Sequence, residues 1–352
     1  MKQTIVMVSI LITFLLVSCD QKDVEQVEEK NEPLMDEKGL SVQTLITSEE
    51  DFRFVAGWLD KENIVFVDHH DTVDRVRKFN LATGDIHTIF TDTDTISEVL
   101  IHSVEKQLLV KTASVPTEAN VIIIEKDGEV LTELTVESSE LEMKWNDVDA
   151  TKLLISAFQE DWSYQVLLYD TIDQSVETVE LVDPFPRWVG KDKIGYLEDS
   201  TLMKRSLSSG EESVVMKNVN SFYAFFDQLV VEVAEEDTQY SLLTEGGEIK
   251  HSWNAENTLE TVEDVKILND NNIIMSTTEY TENNYDYTTV LHIIGDKLEK
   301  QFKLEIEGGL LSCSPSGEVC LVGYSLDTLI DLQTGETTNW LQVDEVDKGA
   351  AN

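Results

Sequence analysis

The 352-residue chain predicts an all-β fold, a β-propeller of four-stranded blades, on three observations. Apolar residues come in short β-rich runs, too short for helices. Turn chemistry separates the runs at roughly 8–12-residue intervals. The pattern of four strands recurs about every 40 residues, the mark of a propeller.

The clearest unit is Asp51 to Phe90. Its runs are Phe52–Trp58, Ile64–Val67, Val73–Phe79 and Ile86–Phe90. Asp60-Lys61-Glu62-Asn63 closes the first hairpin. Asn80 to Asp85 closes the third, with Gly84 free to take positive φ. Similar units follow at Ile96–Val136, turning at Asp127-Gly128, and at Leu141–Val182, turning at Thr171 to Gln174. The fourth is Arg187–Val219, turning at Ser208-Ser209-Gly210, and the fifth is Ser221–Trp253, turning at Gly246-Gly247. The sixth is Val262–Ile306, turning at Gly295-Asp296, and the last is Leu310–Val343, where Gln333-Thr334-Gly335-Glu336 echoes the first unit. The count is seven, with six as the alternative because the fourth and fifth units are short. A pair of β-sandwiches would not require the same hairpin chemistry at a fixed period. The strand Ser41–Ile46 is expected to join the last blade and close the ring.

Residues 1–18 read as a signal peptide: Lys2 precedes Ile5–Val17, an apolar run broken by Ser9 and Thr13 and too short to span a bilayer. It ends in Leu16-Val17-Ser18-Cys19, which resembles the lipobox of bacterial lipoproteins. That resemblance implies cleavage before Cys19, acylation of its sulfur by palmitate-type chains, and a lipid anchor on the extracytoplasmic face of the cell membrane. Residues 19–39 then form the lipidated Cys and an acidic flexible tether. Asp20 to Gly39 holds eight acids, three lysines and no aromatic residue, too little apolar surface to order itself. Residues 40–345 form the propeller domain and 346–352 a disordered tail.

The net charge of −43 excludes nucleic acid as a partner, because phosphate contacts need a basic surface. Cys313 and Cys320 flank a Ser-Pro-Ser-Gly turn, where an extracytoplasmic site permits a disulfide. Two small buried residues on adjacent strands are the alternative.

In a propeller, the loops between a blade's second and third strands share one face with the loops between blades. Here they are acidic and hold aromatics: Asp68, His69, His70 and Asp71 in the first unit, Glu160, Asp161 and Trp162 in the third, Glu198 and Asp199 in the fourth. Glu235 to Asp237 and the segment from Glu279 to Tyr287, with Tyr280, Tyr285 and Tyr287, continue the series. Such a face suits a cation, a basic protein segment or a stacked sugar, and ordinary solvated loops are the alternative. Asp68-His69-His70-Asp71 is the densest set of metal-type ligands, but adjacent strand residues point opposite ways, so a divalent cation such as calcium is a secondary reading and no cofactor is assigned. The Asn269–Asn272 run lacks the Gly and Glu of a calcium loop and reads as a hairpin turn. His87, His102, His251 and His292 read as structural. No nucleophile elbow, zinc-protease helix, phosphate loop or dinucleotide fingerprint occurs.

Leu16 to Cys19, the acidic tether and the repeats Asn80–Asp85 and Asp331–Glu336 together resemble the YqgU-like β-propeller lipoproteins of Bacillus-type bacteria. The resemblance implies six blades, against the seven counted, and carries no assigned activity or functional residue. The reading is a membrane-anchored extracytoplasmic binding or scaffold module acting through the propeller face, with an envelope protein or glycan as partner. The alternative is a cell-envelope hydrolase acting on glycan or peptide, which needs a carboxylate or histidine pair at the channel mouth.

Overall fold

A computed structural model describes residues 35–36, 39–233, 239–254, 261–269, 272–280, 287–295 and 299–344. Among them are seven four-stranded antiparallel sheets, each drawn from one continuous stretch of chain with its strands in sequence order. We letter the strands of a blade A to D in chain order. In blade 1 they are Phe52–Trp58, Asn63–His70, Val73–Asn80 and Ile86–Asp92. Blade 2 runs from Thr95 to Glu137, blade 3 from Glu140 to Val179, blade 4 from Arg187 to Lys217 and blade 5 from Val219 to Asn254; blade 6 runs from Thr261 to Leu304 and blade 7 from Leu311 to Asn339. The units read from the sequence fall on these blades to within a few residues, and the count is seven, not six. No helix among the described residues is long and apolar enough to cross a membrane.

The A strands of blades 1 and 2 adjoin, as do those of successive blades from 3 round through 7 to 1, and a shared apolar cluster joins blades 2 and 3, so the sheets form a ring with strand A at its axis. Side-chain alternation explains the packing. In strand B of blade 1, Ile64 and Phe66 point toward blade 7 while Val65 and Val67 point toward blade 2. Both faces of the inner strands are therefore buried, which is why they read as continuous apolar runs and not as alternating ones. The buried residues divide into seven apolar clusters, one at each junction between blades. Each fully buried Leu, Ile, Val or Phe contributes about 1.5–3 kcal/mol relative to exposure, so the ring is held by its junctions.

The hairpin chemistry has a common geometry. Asn80 Oδ1 accepts hydrogen bonds from the amides of Ala82 and Thr83, Asp170 Oδ1 from Ile172 and Asp173, and Asp331 Oδ1 from Gln333 and Thr334. The residue four positions on then takes positive φ: Gly84 at 78° and Gly335 at 80°. An Asx turn followed by a left-handed residue is what the Asn-x-x-x-Gly and Asp-x-x-x-Gly spacings encode. The run at Asn269–Asn272 lies at the A–B turn of blade 6, between strands Thr261–Asn269 and Asn272–Tyr280; Asp270 and Asn271 are outside the described residues.

Ring closure differs from the expectation. After a short hairpin of Met35–Asp36 with Gly39–Leu40, the strand that precedes blade 1 is Leu45–Ser48, and it does not complete the sheet of blade 7. It pairs in parallel with Leu341–Asp344, a strand that follows that blade, in the register Leu45↔Leu341 to Ser48↔Asp344. The reason is that Thr337–Asn339 already fills the fourth position of blade 7. Trp340, fully buried, stands between the two pairings; its Nε1 donates to Leu326 O at 2.8 Å and its ring packs 5.8 Å from Phe79. At the axis, Trp58 N donates to Ser312 Oγ (3.3 Å) and Trp58 Nε1 to Ser312 O (3.0 Å), joining the A strands of blades 1 and 7. Cys313 and Cys320 face each other across the A–B hairpin of blade 7, Cα atoms 4.0 Å apart, and their sulfurs are bonded.

Candidate functional site

Strand A of every blade borders one axial cavity of about 500 Å³, with Trp58, Leu100, Trp145, Trp188, Phe225, Lys266 and Ser312 contributed by blades 1 to 7 in turn. Ser103, Lys106, Asp147 and Pro315, from the A–B turns of blades 2, 3 and 7, line it too, so it reaches the A–B end of the ring. The volume lies within the range of small-molecule sites.

Three indoles set its apolar wall. Trp58 Nε1 donates to Ser312 O, Trp145 Nε1 to Ala150 O and Trp188 Nε1 to Lys144 O. With each N–H satisfied by a backbone carbonyl, the rings have only apolar surface left to offer.

The charges on the lining run against the composition of the chain. Lys106, Lys144, Arg187 and Lys266 are cationic, and Asp147 is the single acid among the described lining residues, in a chain with 69 acids to 26 bases. Two of the cations are neutralised by the residue two positions earlier on their own strand. Lys144 Nζ lies 2.5 Å from Glu142 and Lys266 Nζ 3.1 Å from Asp264. The other two are not. Lys106 Nζ donates to Ser103 O at 2.5 Å, and burial pushes its ammonium below the usual lysine range, against a weaker pull from Asp60. Arg187, half-buried, sits over the rings of Phe222 and Tyr223 at 5.9 and 5.6 Å and makes no hydrogen bond or ion pair among the described residues. Burial pushes the Asp147 carboxyl up, against the Phe226 amide, His102 and Lys266. Burial, and after it Asp264, pushes the Tyr223 hydroxyl up, against Arg187.

The acidic loops lie at the B–C turns, at the opposite end of the strands from the A–B turns. In blade 1, Asp68 is 4% exposed and receives Arg75 Nε at 2.7 Å, Arg75 Nη2 at 2.8 Å and Arg77 Nη1 at 2.7 Å. His69 Nδ1 bonds Asp74 Oδ1 at 2.7 Å, and Asp74 Oδ2 accepts the Ile96 amide of blade 2 at 2.9 Å. His70 Nε2 is 3.6 Å from Asp71, which turns the hairpin at φ 56°. These four residues share one hairpin, with His69 Nε2 also 3.0 Å from Asp71 O, but Asp68 is taken up by the two arginines, and no group of three or more metal-type ligands occurs among the described residues. In blade 3, Asp161 caps Ser163 through its amide and hydroxyl, while Trp162 projects, 80% exposed, beside Glu160. This hairpin is two blades from the first. Tyr280 and Tyr287 are register partners at the B–C end of blade 6; Tyr285, Glu235 to Asp237 and Cys19 lie outside the described residues. Of the histidines read as structural, His102 is buried with Nε2 on Asn146 O at 2.9 Å, and His292 Nε2 meets Thr277 Oγ1 at 3.0 Å.

Sequence reasoning missed the axial cations. The available signal was Lys144, Arg187 and Lys266 in first strands of units three, four and six, where a propeller brings strands to its axis.

The ring, its four-stranded blades and its axial cavity define a β-propeller. A family model described as the YqgU-like 6-bladed beta propeller domain matches residues 80–323, and the chain belongs to that family, with seven blades in place of the described six. It is similar to the uncharacterized lipoprotein YqgU of Bacillus subtilis (strain 168), 23% identical over 143 residues, or 41% of this chain and 40% of that curated relative. An uncharacterized protein of Listeria monocytogenes EGD-e superposes with a TM-score of 0.76 at 20% identity, covering 86% of this chain and 98% of the other. The β-propeller domain of the Trilobed protease from Pyrococcus furiosus, described as having an open velcro topology, gives 0.56 at 14% identity, covering 83% and 99%. At these identities the likeness to solved structures is one of fold.

Proposed function

We propose that the chain is a lipid-anchored binding module on the extracytoplasmic face of the cell membrane, its propeller carried on the acidic tether. The observation that carries the binding reading is the axial cavity, to which all seven blades contribute. A concave, pre-formed pocket with apolar walls and a few polar groups is the usual form of a small-molecule site. The anchor rests on Leu16-Val17-Ser18-Cys19 and is supported by the similarity to a relative named as a lipoprotein. Trp162, exposed after Glu160 and Asp161 at the B–C turn of blade 3, favours a second contact on that face, with a protein of the envelope.

The anchor is tested by labelling cells with a palmitate analogue. The wild-type chain takes up label and sediments with membranes, while Cys19→Ser takes up none and is found in the soluble fraction. A Cys19→Ser protein that keeps the label, or stays with the membrane unlabelled, overturns the anchor.

A further inference from the structure

We propose that the axial cavity takes a small sugar acid or sugar phosphate, its anionic group held by Arg187 and Lys106 and its ring laid against the indole wall. This deepens the binding-module reading and rests on it. Three observations carry it. The described cavity lining holds four bases to one acid, in a chain with 69 acids to 26 bases. A net charge of −43 repels anions at a distance, so any attraction must come from groups placed locally. Next, Arg187 is oriented by two aromatic rings, not by a carboxylate. A guanidinium in a half-buried cavity with its N–H groups uncommitted is the arrangement that receives a carboxylate or phosphate in a two-pronged contact. Lys144 and Lys266, each paired with its own acid, are already committed and do not compete for the ligand. Lastly, Trp145 is half-buried with its N–H bonded to Ala150 O and so turns apolar surface to the cavity, which suits the C–H face of a sugar ring, while Trp58 and Trp188, 6% and 5% exposed and likewise without a free N–H, add apolar lining.

The test is calorimetric titration of the full chain in detergent with glucuronate, glucose 1-phosphate, glucose, inorganic phosphate and trigalacturonate. Glucuronate or glucose 1-phosphate should bind at least about tenfold more tightly than glucose or phosphate alone. Arg187→Gln should weaken that binding about ten- to a hundredfold, the loss of a charge-assisted contact. Lys106→Met should weaken it as well, and serves if Arg187→Gln does not fold. Lys217→Gln, on the outer strand of blade 4, should leave it unchanged. Trigalacturonate binding as well as glucuronate assigns the end of an envelope polymer as the source, and binding of the monosaccharides alone assigns a free sugar; both support the proposal. Glucose binding as tightly as glucuronate overturns the anion preference and leaves the binding-module reading standing. Phosphate binding as tightly as glucose 1-phosphate overturns the sugar part. No binding across the panel, or binding untouched by Arg187→Gln and Lys106→Met, overturns the whole proposal, while the labelling of Cys19 is judged separately.

Discussion

Replacing Asp68 by Asn tests whether the Asp-His-His-Asp hairpin is architecture or a ligand site. Asp68 accepts three hydrogen bonds from Arg75 and Arg77, which stand two apart on strand C and so share a face of the sheet. The substitution keeps the shape and removes the charge. It also turns an N–H₂ group toward guanidiniums that can only donate. Three charge-assisted bonds at 1.5–3 kcal/mol each would overstate the loss, because they act as a unit. Removing one partner of a buried ion pair costs about 3–5 kcal/mol. Here the Asp68 side chain is 6% exposed but each arginine is 21% exposed, so water recovers part of the loss and about 2–4 kcal/mol is expected. At about 2 °C per kcal/mol for a chain of this length, the melting temperature should fall by about 4–8 °C. Thermal unfolding followed by tryptophan fluorescence measures it. The triple variant Asp68→Asn, Arg75→Gln, Arg77→Gln should recover part of the fall, since the stranded charges are gone. A loss under about 0.5 kcal/mol, or no recovery in the triple variant, refutes the reasoning and returns Asp68 to the list of ligand contacts.

Other perturbations give equally definite outcomes. Intact mass without reductant should fall by two protons relative to the reduced chain, and Cys313→Ser with Cys320→Ser should cost up to about 2.5 kcal/mol for so short a loop, read by urea unfolding. Asp147→Asn should raise the melting temperature at pH 7. Burial raises the folded pKa of this carboxyl, so the native state binds the proton more tightly than the unfolded state, and the wild type loses stability as pH rises through the raised value. The advantage of the variant should vanish below the ordinary carboxylate range, and an advantage that grows in acid contradicts the assignment. Gly57→Ala should cost about 2–4 kcal/mol, because φ is +128° and the new Cβ meets Ser312 Oγ at 2.5 Å, at the contact between blades 7 and 1. Gly210→Ala, at φ +70° with no neighbour within 4 Å, should cost only about 1 kcal/mol; equal losses at the two sites would remove the steric part of the argument.

The fold was legible because each blade is a local object. Strand lengths, the Asn80 and Asp331 turns and the run of doubly buried B strands are all written within about 40 consecutive residues. What failed to show was long-range. Nothing near Leu45 says that its partner is Leu341 and not blade 7 itself, since both partnerships use the same short apolar strand. The site was hidden for the same reason. Arg187 and Lys106 are 81 positions apart in number, and only closing the ring brings them to one cavity. The acidic loops drew attention because acids are everywhere in the chain, whereas the informative residues were the few bases placed on inner strands. Asp68 illustrates the converse: conspicuous in sequence, it is consumed by two arginines from the next strand, whose pairing depends on the register Asp68↔Arg75.

The parallel pairing of Leu45–Ser48 with Leu341–Asp344 also sets an order of events. Within a blade every strand pairs with its neighbour in the chain, so blades can form one after another as the chain emerges. The clasp joins residues 341 − 45 = 296 positions apart, a contact that pays its loop entropy only at the end. Leu45–Ser48, made early, must therefore wait, an unpaired edge, for one of the last strands made. A chain ending anywhere before Leu341 would carry finished blades and an open ring, so closure requires the last strand to be present.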